Sequence, residues 1–167
     1  LPMTSWQIAA IWHEARGATI GASTAIEGNP LTQAQVDEVL AGGRVEAAGP
    51  AIREIENYSE AMNVAARAAD RGFEWSEDVI SEINAAVTRG LDPDTGGRYR
   101  NEGVRVGIFE GPHELAVPGV MRELVGWLRT STEPPLVSSA LLHLNLIAIH
   151  PFADGNGRTA RIASSLE

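Results

Sequence analysis

The chain has 167 residues, 44% of them apolar, and a formal net charge of −9. That length suits one domain with a core able to fold alone. The acidic balance excludes a general nucleic-acid or anionic-membrane surface, since both need broad positive potential, but it leaves room for one small anion held by local arginines. No cysteine occurs, which excludes disulfides and thiolate metal sites and fits the reducing cytoplasm we expect. No run is long and apolar enough to span a membrane. LPMTSWQ at the start lacks the basic-then-apolar order of a signal peptide.

Helical periodicity dominates the first half. In SWQIAAIWHEAR, Ile8, Ile11, Trp12 and Ala15 recur at helical spacing. Gly17 and Gly21 weaken the continuation of that helix, so GASTAIEG is expected as a further short helix, stopped by Gly28 and Pro30. LTQAQVDEVLAGG carries a capping box, with Thr32 as N-cap, Gln35 three residues on and Gly42 as the stop. Pro50 fits the first turn of a long helix that Gly72 closes. SEDVISEINAAVTRG starts at a Ser76 cap with acids in its first turn and ends at Gly90.

The next stretch, LDPDTGGRYRNEGVRVGIFEGP, is rich in Gly, Pro and Asp. Its two short runs, 98–100 and 104–108, flank Asn101-Glu102-Gly103 and predict a β-hairpin. Helices resume with VPGVMRELVGWLRTS and PPLVSSALLHLNLIAIH. The second is apolar nearly all round and is expected as the buried central helix.

The next segment, HPFADGNGRTAR (150–161), is chemically dense. Pro151 disfavours helical geometry at His150, so the central helix should stop there. A loop then runs into the N-terminus of a last helix, where free backbone N–H groups and the helix dipole favour an anion. Gly155 and Gly157 allow close approach of a ligand to the backbone. Arg158 and Arg161 share one helix face and suit bidentate grips on phosphate oxygens. Asp154 beside phosphates is repulsive unless a cation such as Mg²⁺ lies between them. His150 has the pKa class of a general base, and Phe152 reads as a core anchor pinning the loop. Each residue alone has a bland explanation as a cap, a solvated face or a turn. In this order at a helix entry, they point to a ligand. Two better-known phosphate loops are excluded. The G-x-G-x-x-A match at 155–160 comes after a helix and not a strand, and no Walker A sequence occurs.

HPFADGNGRTAR resembles the signature of the Fic domain family, H-P-F-x-[D/E]-G-N-G-R-x-x-R, at every fixed position. EIENYSEAMNVA (54–65), GGRYRNEGVRVG (96–107) and VPGVMRELVGWL (117–128) resemble, in order, the family's early helix, its flap hairpin and the helix before the central one. The resemblance implies an all-α fold with a β-hairpin flap, here a single domain over 1–167 with the flap at 92–108 and the signature loop at 150–161. It also implies that the fold continues beyond residue 167. The implied activity is transfer of AMP from ATP to a Ser, Thr or Tyr hydroxyl of a target protein, self-modification and a homodimer being compatible, with neither nucleic acid nor membrane as partner.

The implied roles are specific. His150 is the general base and Asp154 holds Mg²⁺. Phe152, Gly155, Asn156 and Gly157 belong to the nucleotide-binding loop, with the Asn156 side chain on the α-phosphate. Arg158 and Arg161 contact the distal phosphates. Tyr99, Arg100, Val104 and Val106 are implied flap residues that dock the target by strand addition. Within 1–30, STAIEG matches the family's inhibitory motif through Ser23, Glu27 and Gly28, and implies that Glu27 engages Arg161 and blocks the γ-phosphate site. Alternatives on the same scaffold are transfer of UMP, phosphate or phosphocholine, removal of AMP, and a catalytically idle adaptor.

Overall fold

A computed structural model describes residues 4–70, 72–91 and 96–167, without the side chains of Ser5, Trp6, Ile8, Ala9 and Val106. The chain divides into two compact units, Leu1–Ser59 and Glu60–Glu167.

In the first unit, α1 (Ser5–Ile26) opens on a capping box between Thr4 and Gln7. It runs unbroken through Gly17 and Gly21, where the sequence predicts two helices. The reason is packing. A Cβ at Gly17 would lie 2.9 Å from Asp37 Oδ1, and one at Gly21 would lie 2.3 Å from Gln33 Oε1. The two glycines, one helical turn apart, form the strip on which α2 (Gln33–Leu40) lies. Each costs about 0.5–1 kcal/mol of helix propensity, and close helix contact offsets it. α1 ends in a Schellman pattern, with Gly28 N–H donating to Ala25 O at 3.0 Å and Asn29 N–H to Thr24 O at 3.1 Å. The α2 capping box forms as expected, Thr32 accepting from Gln35 N. The first part of α3 (Gly49–Asp70) lies in this unit, and Asn29 Nδ2 ties α1's end to it through Ala51 O (2.9 Å) and Glu54 Oε2 (2.7 Å).

The second unit is built on α4 (Glu77–Thr88), α5 (Val117–Thr130), α6 (Pro135–Ile149) and α7 (Asn156–Ser164). Ser76 caps α4 by accepting from Val79 N at 3.2 Å. Ile80, Ile83 and Val87 on the buried stripe of α4 are fully covered, each stabilising by roughly 1.5–3 kcal/mol. α6 packs against α5 and α7 and buries Leu142, Leu146 and Ile149. Contrary to the expectation from its composition, it is not buried all round: Leu136 and Leu144 are 84% and 63% exposed. The helices around it cover two of its faces, and the apolar residues on the remaining one stay in contact with solvent.

The hairpin forms one step later in the chain than expected. β1 (Arg105–Val106) pairs antiparallel with β2 (Phe109–Glu110), in register Arg105↔Glu110 and Val106↔Phe109. The turn is Gly107-Ile108, with positive φ at Gly107 alone, the two-residue geometry that matches strand twist. The run 98–100 pairs elsewhere: Tyr99 forms an antiparallel bridge with Phe152. Part of the expected flap, 92–95, lies outside the described residues. Among the described residues the fold is thus seven α-helices and one short hairpin, the all-α class read from the sequence.

Candidate active site

α6 stops at Ile149, and His150 caps it in the left-handed region (φ 49, ψ 60). It is the one non-glycine among the described residues with positive φ, a conformation costing about 1–2 kcal/mol. The backbone reverses there, so the loop crosses the end of α6 and enters α7. Gly155 caps α7 at φ 74. A Cβ there would lie 2.9 Å from both Thr88 Cγ2 and Val87 Cγ2, so both the conformation and the contact with α4 require glycine.

Six peptide carbonyls between residues 149 and 155 are each turned onto a donor. Ile149 O and His150 O accept from the Arg100 guanidinium at 3.4 and 2.8 Å. Pro151 O accepts from Arg100 N at 2.9 Å. Phe152 O accepts from Asn156 Nδ2 at 2.8 Å, Asp154 O from Asn84 Nδ2 at 2.9 Å, and Gly155 O from Thr159 N at 2.8 Å. With these carbonyls engaged, the N–H groups of Asn156, Gly157 and Arg158 stand in the first turn of α7, where the helix supplies no acceptor. That is the electrostatic layout of an anion site.

Several residues named from the sequence have partners within the loop itself. Phe152 is 1% exposed and lies beside Tyr99 with ring centroids 5.8 Å apart. It is an anchor of the loop. Both polar atoms of the Asn156 side chain are engaged by Phe152, Oδ1 accepting from Phe152 N at 2.9 Å and Nδ2 donating to Phe152 O. This buried side chain shapes the loop. Asp154 is 52% exposed; its Oδ1 accepts from Gly155 N at 2.6 Å. Both its oxygens meet Arg158 Nη2 at 3.2 Å. Arg158 itself is buried, which makes this pair stiffer than a surface ion pair. Arg161 is half-buried on the same helix.

The flap residues divide as well. Arg100 is 7% exposed and its guanidinium faces the end of α6. Tyr99 donates its hydroxyl to Glu77 Oε2 at 2.7 Å. Burial, and then the neighbouring Glu77 carboxylate, push its phenol well above the usual range. Val104 anchors the hairpin base by accepting from Gly111 N at 3.1 Å, and the Val106 side chain lies outside the described residues. At the tip, Ile108 is 100% and Phe109 49% exposed. Sequence reasoning missed them as candidates, although two apolar residues at a hairpin turn were signal enough. Ser23, Glu27 and Gly28 belong to the first unit, Ser23 buried and the other two exposed at the end of α1.

Asn84 was also missed. It is 1% exposed, donates to Asp154 O and to Thr159 Oγ1 (3.1 Å), and accepts from Gly97 N at 2.9 Å. A polar residue on the apolar stripe of α4, between Ile80, Ile83 and Val87, was the signal.

Residues 74–166, more than half of the chain, match the Fic/DOC family. The protein adenylyltransferase fic-1 of Caenorhabditis elegans is 36% identical over 153 residues, covering 86% of this chain and 30% of its own length. The protein adenylyltransferase Fic of Drosophila melanogaster is 36% identical over 149 residues, covering 84% and 30%. A Fic-domain signalling protein from Bacteroides thetaiotaomicron superposes with a TM-score of 0.89 at 26% identity, covering 99% of this chain and 66% of that one. A Fic family protein from Desulfovibrio desulfuricans has a TM-score of 0.79 at 36% identity, covering 90% and 46%. The chain therefore spans about a third of the length of these curated relatives. With the signature residues at one loop, a hairpin beside it and the match over 74–166, the chain belongs to the Fic/DOC family.

Proposed function

We propose that the loop 150–158 is the centre of a protein adenylyltransferase, which moves AMP from ATP to a hydroxyl side chain of a protein. The observation that carries this reading is the loop's construction, with carbonyls held by internal donors, the N-terminus of α7 opening on the loop and His150 at its edge in an uncommon backbone conformation. The relatives' name, protein adenylyltransferase, supports it. Attack by a hydroxyl on the α-phosphorus builds charge on phosphoryl oxygens and on pyrophosphate; preorganised N–H donors stabilise such charge. His150 takes the hydroxyl proton. Arg158 and Arg161 hold the distal phosphates. The exposed edges of the hairpin offer backbone groups to an extended target segment.

Mg²⁺ fits the residues present. The Asp154 carboxylate is half-exposed at the loop mouth. A single carboxylate plus phosphate oxygens is how Mg²⁺ is commonly held, and the ion would neutralise phosphate charge. Among the described residues no group of three or more His, Asp or Glu side chains gathers into a self-contained metal site, so the phosphates would complete this one. Glu27 is the proposed restraint on transfer. Its support is the Ser23, Glu27, Gly28 pattern at the end of α1, where a carboxylate faces the negative end of the helix dipole, a mismatch of about 0.3–1 kcal/mol that a cationic partner would relieve.

The test is incubation with ATP labelled separately at the α- and γ-phosphates, with the protein itself and a cell extract as acceptors, followed by intact-mass analysis. Gain of one AMP with only the α-label retained is the expected result. Retention of the γ-label would mean phosphate transfer and defeat the proposal. Glu27→Gly should raise self-modification strongly; a variant no faster than the parent, with ATP shown to bind, would remove Glu27 as the restraint.

A further inference from the structure

We propose that Arg100 is a positioning residue, which sets the backbone of His150 and ties it to the base of the flap. The proposal rests on the reading of His150 as the proton acceptor. Arg100 is a buried cation whose guanidinium partners, among the described residues, are all backbone carbonyls. Nε donates to His150 O at 2.8 Å and Nη2 to Ile149 O at 3.4 Å. On the other side Nη1 donates to Glu102 O at 2.6 Å and Nη2 to Pro112 O at 2.6 Å. Its own N–H donates to Pro151 O. One residue thus spans the two strands of chain that enter and leave the hairpin, and three consecutive carbonyls where α6 ends.

The chemistry explains the choice of arginine. The last carbonyls of a helix carry its negative dipole end and lack intrahelical donors. A planar guanidinium with five donors serves carbonyls in several directions at once. Lysine, a point charge on a flexible stem, cannot hold both sides of the junction together. Space is also matched. A Cβ at Gly111 would lie 2.8 Å from Val104 Cγ1, 3.4 Å from Arg100 Nη2 and 3.6 Å from Ile149 O. The hairpin base therefore lies directly on the clamp. His150 holds its left-handed conformation because its carbonyl has a charged donor waiting. A displacement of the flap by a docked target is passed to the same donor.

The test compares the parent with Arg100→Lys and Arg100→Gln, alone and on a His150→Ala background. Steady-state AMP transfer should fall about 10- to 100-fold in kcat, below the about 10²–10⁴ expected for losing the base itself. KM for ATP should stay within about twofold, because the α7 amides and arginines are untouched. On the His150→Ala background neither substitution should lower the residual rate further, the signature of action through one residue. Amide hydrogen exchange should quicken together in 101–112 and 149–153. The proposal is overturned by any of three results: exchange that rises in the flap alone, a loss that falls on KM for ATP, or full additivity with His150→Ala. The exchange measurement does not depend on which group is transferred. A parent and a Glu27→Gly variant that both move no AMP would defeat the functional reading and leave this test standing.

Discussion

Asn84→Leu removes a near-isosteric amide from the core of the second unit and shows how the anion loop is held. Three groups lose their partner at once: Thr159 Oγ1, Asp154 O and Gly97 N. Thr159 is 1% exposed, so its hydroxyl has no route to water and carries a full desolvation penalty of about 1–3 kcal/mol. The two backbone groups are part-buried and recover some hydration. Leucine returns part of the loss through its own burial. The net is about 2–4 kcal/mol of destabilisation, which for a chain of this size lowers Tm by roughly 5–15 °C. The assay is thermal unfolding by circular dichroism, with chemical denaturation as a check that the slope is unchanged. ATP affinity should fall as well, because Asp154 O is then free to turn outward against the phosphates. A variant within about 2 °C of the parent would refute the argument that buried donors hold the loop's carbonyls in place.

Three further outcomes are expected. His150→Ala should cut transfer by about 10²–10⁴ while calorimetry shows ATP binding little changed; transfer at the parent rate would remove His150 from the mechanism. Asp154→Ala should strengthen metal-free nucleotide binding and flatten its Mg²⁺ dependence, and equal Mg²⁺ dependence in both proteins would count against the carboxylate as the metal's ligand. Tyr99→Phe should cost about 1 kcal/mol at neutral pH through loss of the bond to Glu77. The folded phenol is held protonated, so this contribution is complete below the ordinary tyrosine value near pH ~10 and is lost as pH rises beyond it. Parent and variant stabilities, compared by urea unfolding at both pH extremes, should converge in alkali.

The helix caps were legible because capping is local chemistry. Thr32 with Gln35, and Ser76 before two acids, each satisfy orphan N–H groups within one turn, and the structure places both as expected. The loop 150–158 was legible because only a few residue types serve an anion at a helix entry. What stayed hidden depends on partners distant in sequence. Gly17 and Gly21 look like breaks until α2 lies on them. Asn101-Glu102-Gly103 looks like a hairpin turn, but Tyr99 finds its bridge partner at Phe152, and pairing begins only at Arg105. Asn156 and Arg100 look like groups awaiting a ligand or a target. Their actual partners are backbone carbonyls and amides, and nothing in side-chain type foretells which backbone groups a fold will leave unpaired.

A peptide cannot turn its N–H groups toward a ligand without turning carbonyls away from it. Those carbonyls leave solvent, and each one unpaired costs what a lost hydrogen bond costs. A loop of this length cannot supply enough donors from its own backbone, so they come from side chains on neighbouring elements. Here Asn84 arrives from α4, Arg100 from the segment before the hairpin, and Asn156 from α7. The charge of Arg100 serves the same end, since a cation beneath the carbonyls of 149–151 leaves less negative potential facing a phosphate above them. On the proposed reading, the acidic chain holds an anion through a local field, made of oriented amides and buried donors and not of net charge. Salt should therefore weaken nucleotide binding only mildly. The decisive N–H contacts are short-ranged and partly shielded from solvent, whereas a broad basic surface would lose affinity steeply over the same range. Titrating ATP, at saturating Mg²⁺, across a tenfold range of ionic strength checks this. A steep loss would place the binding energy in long-range charge and not in the loop.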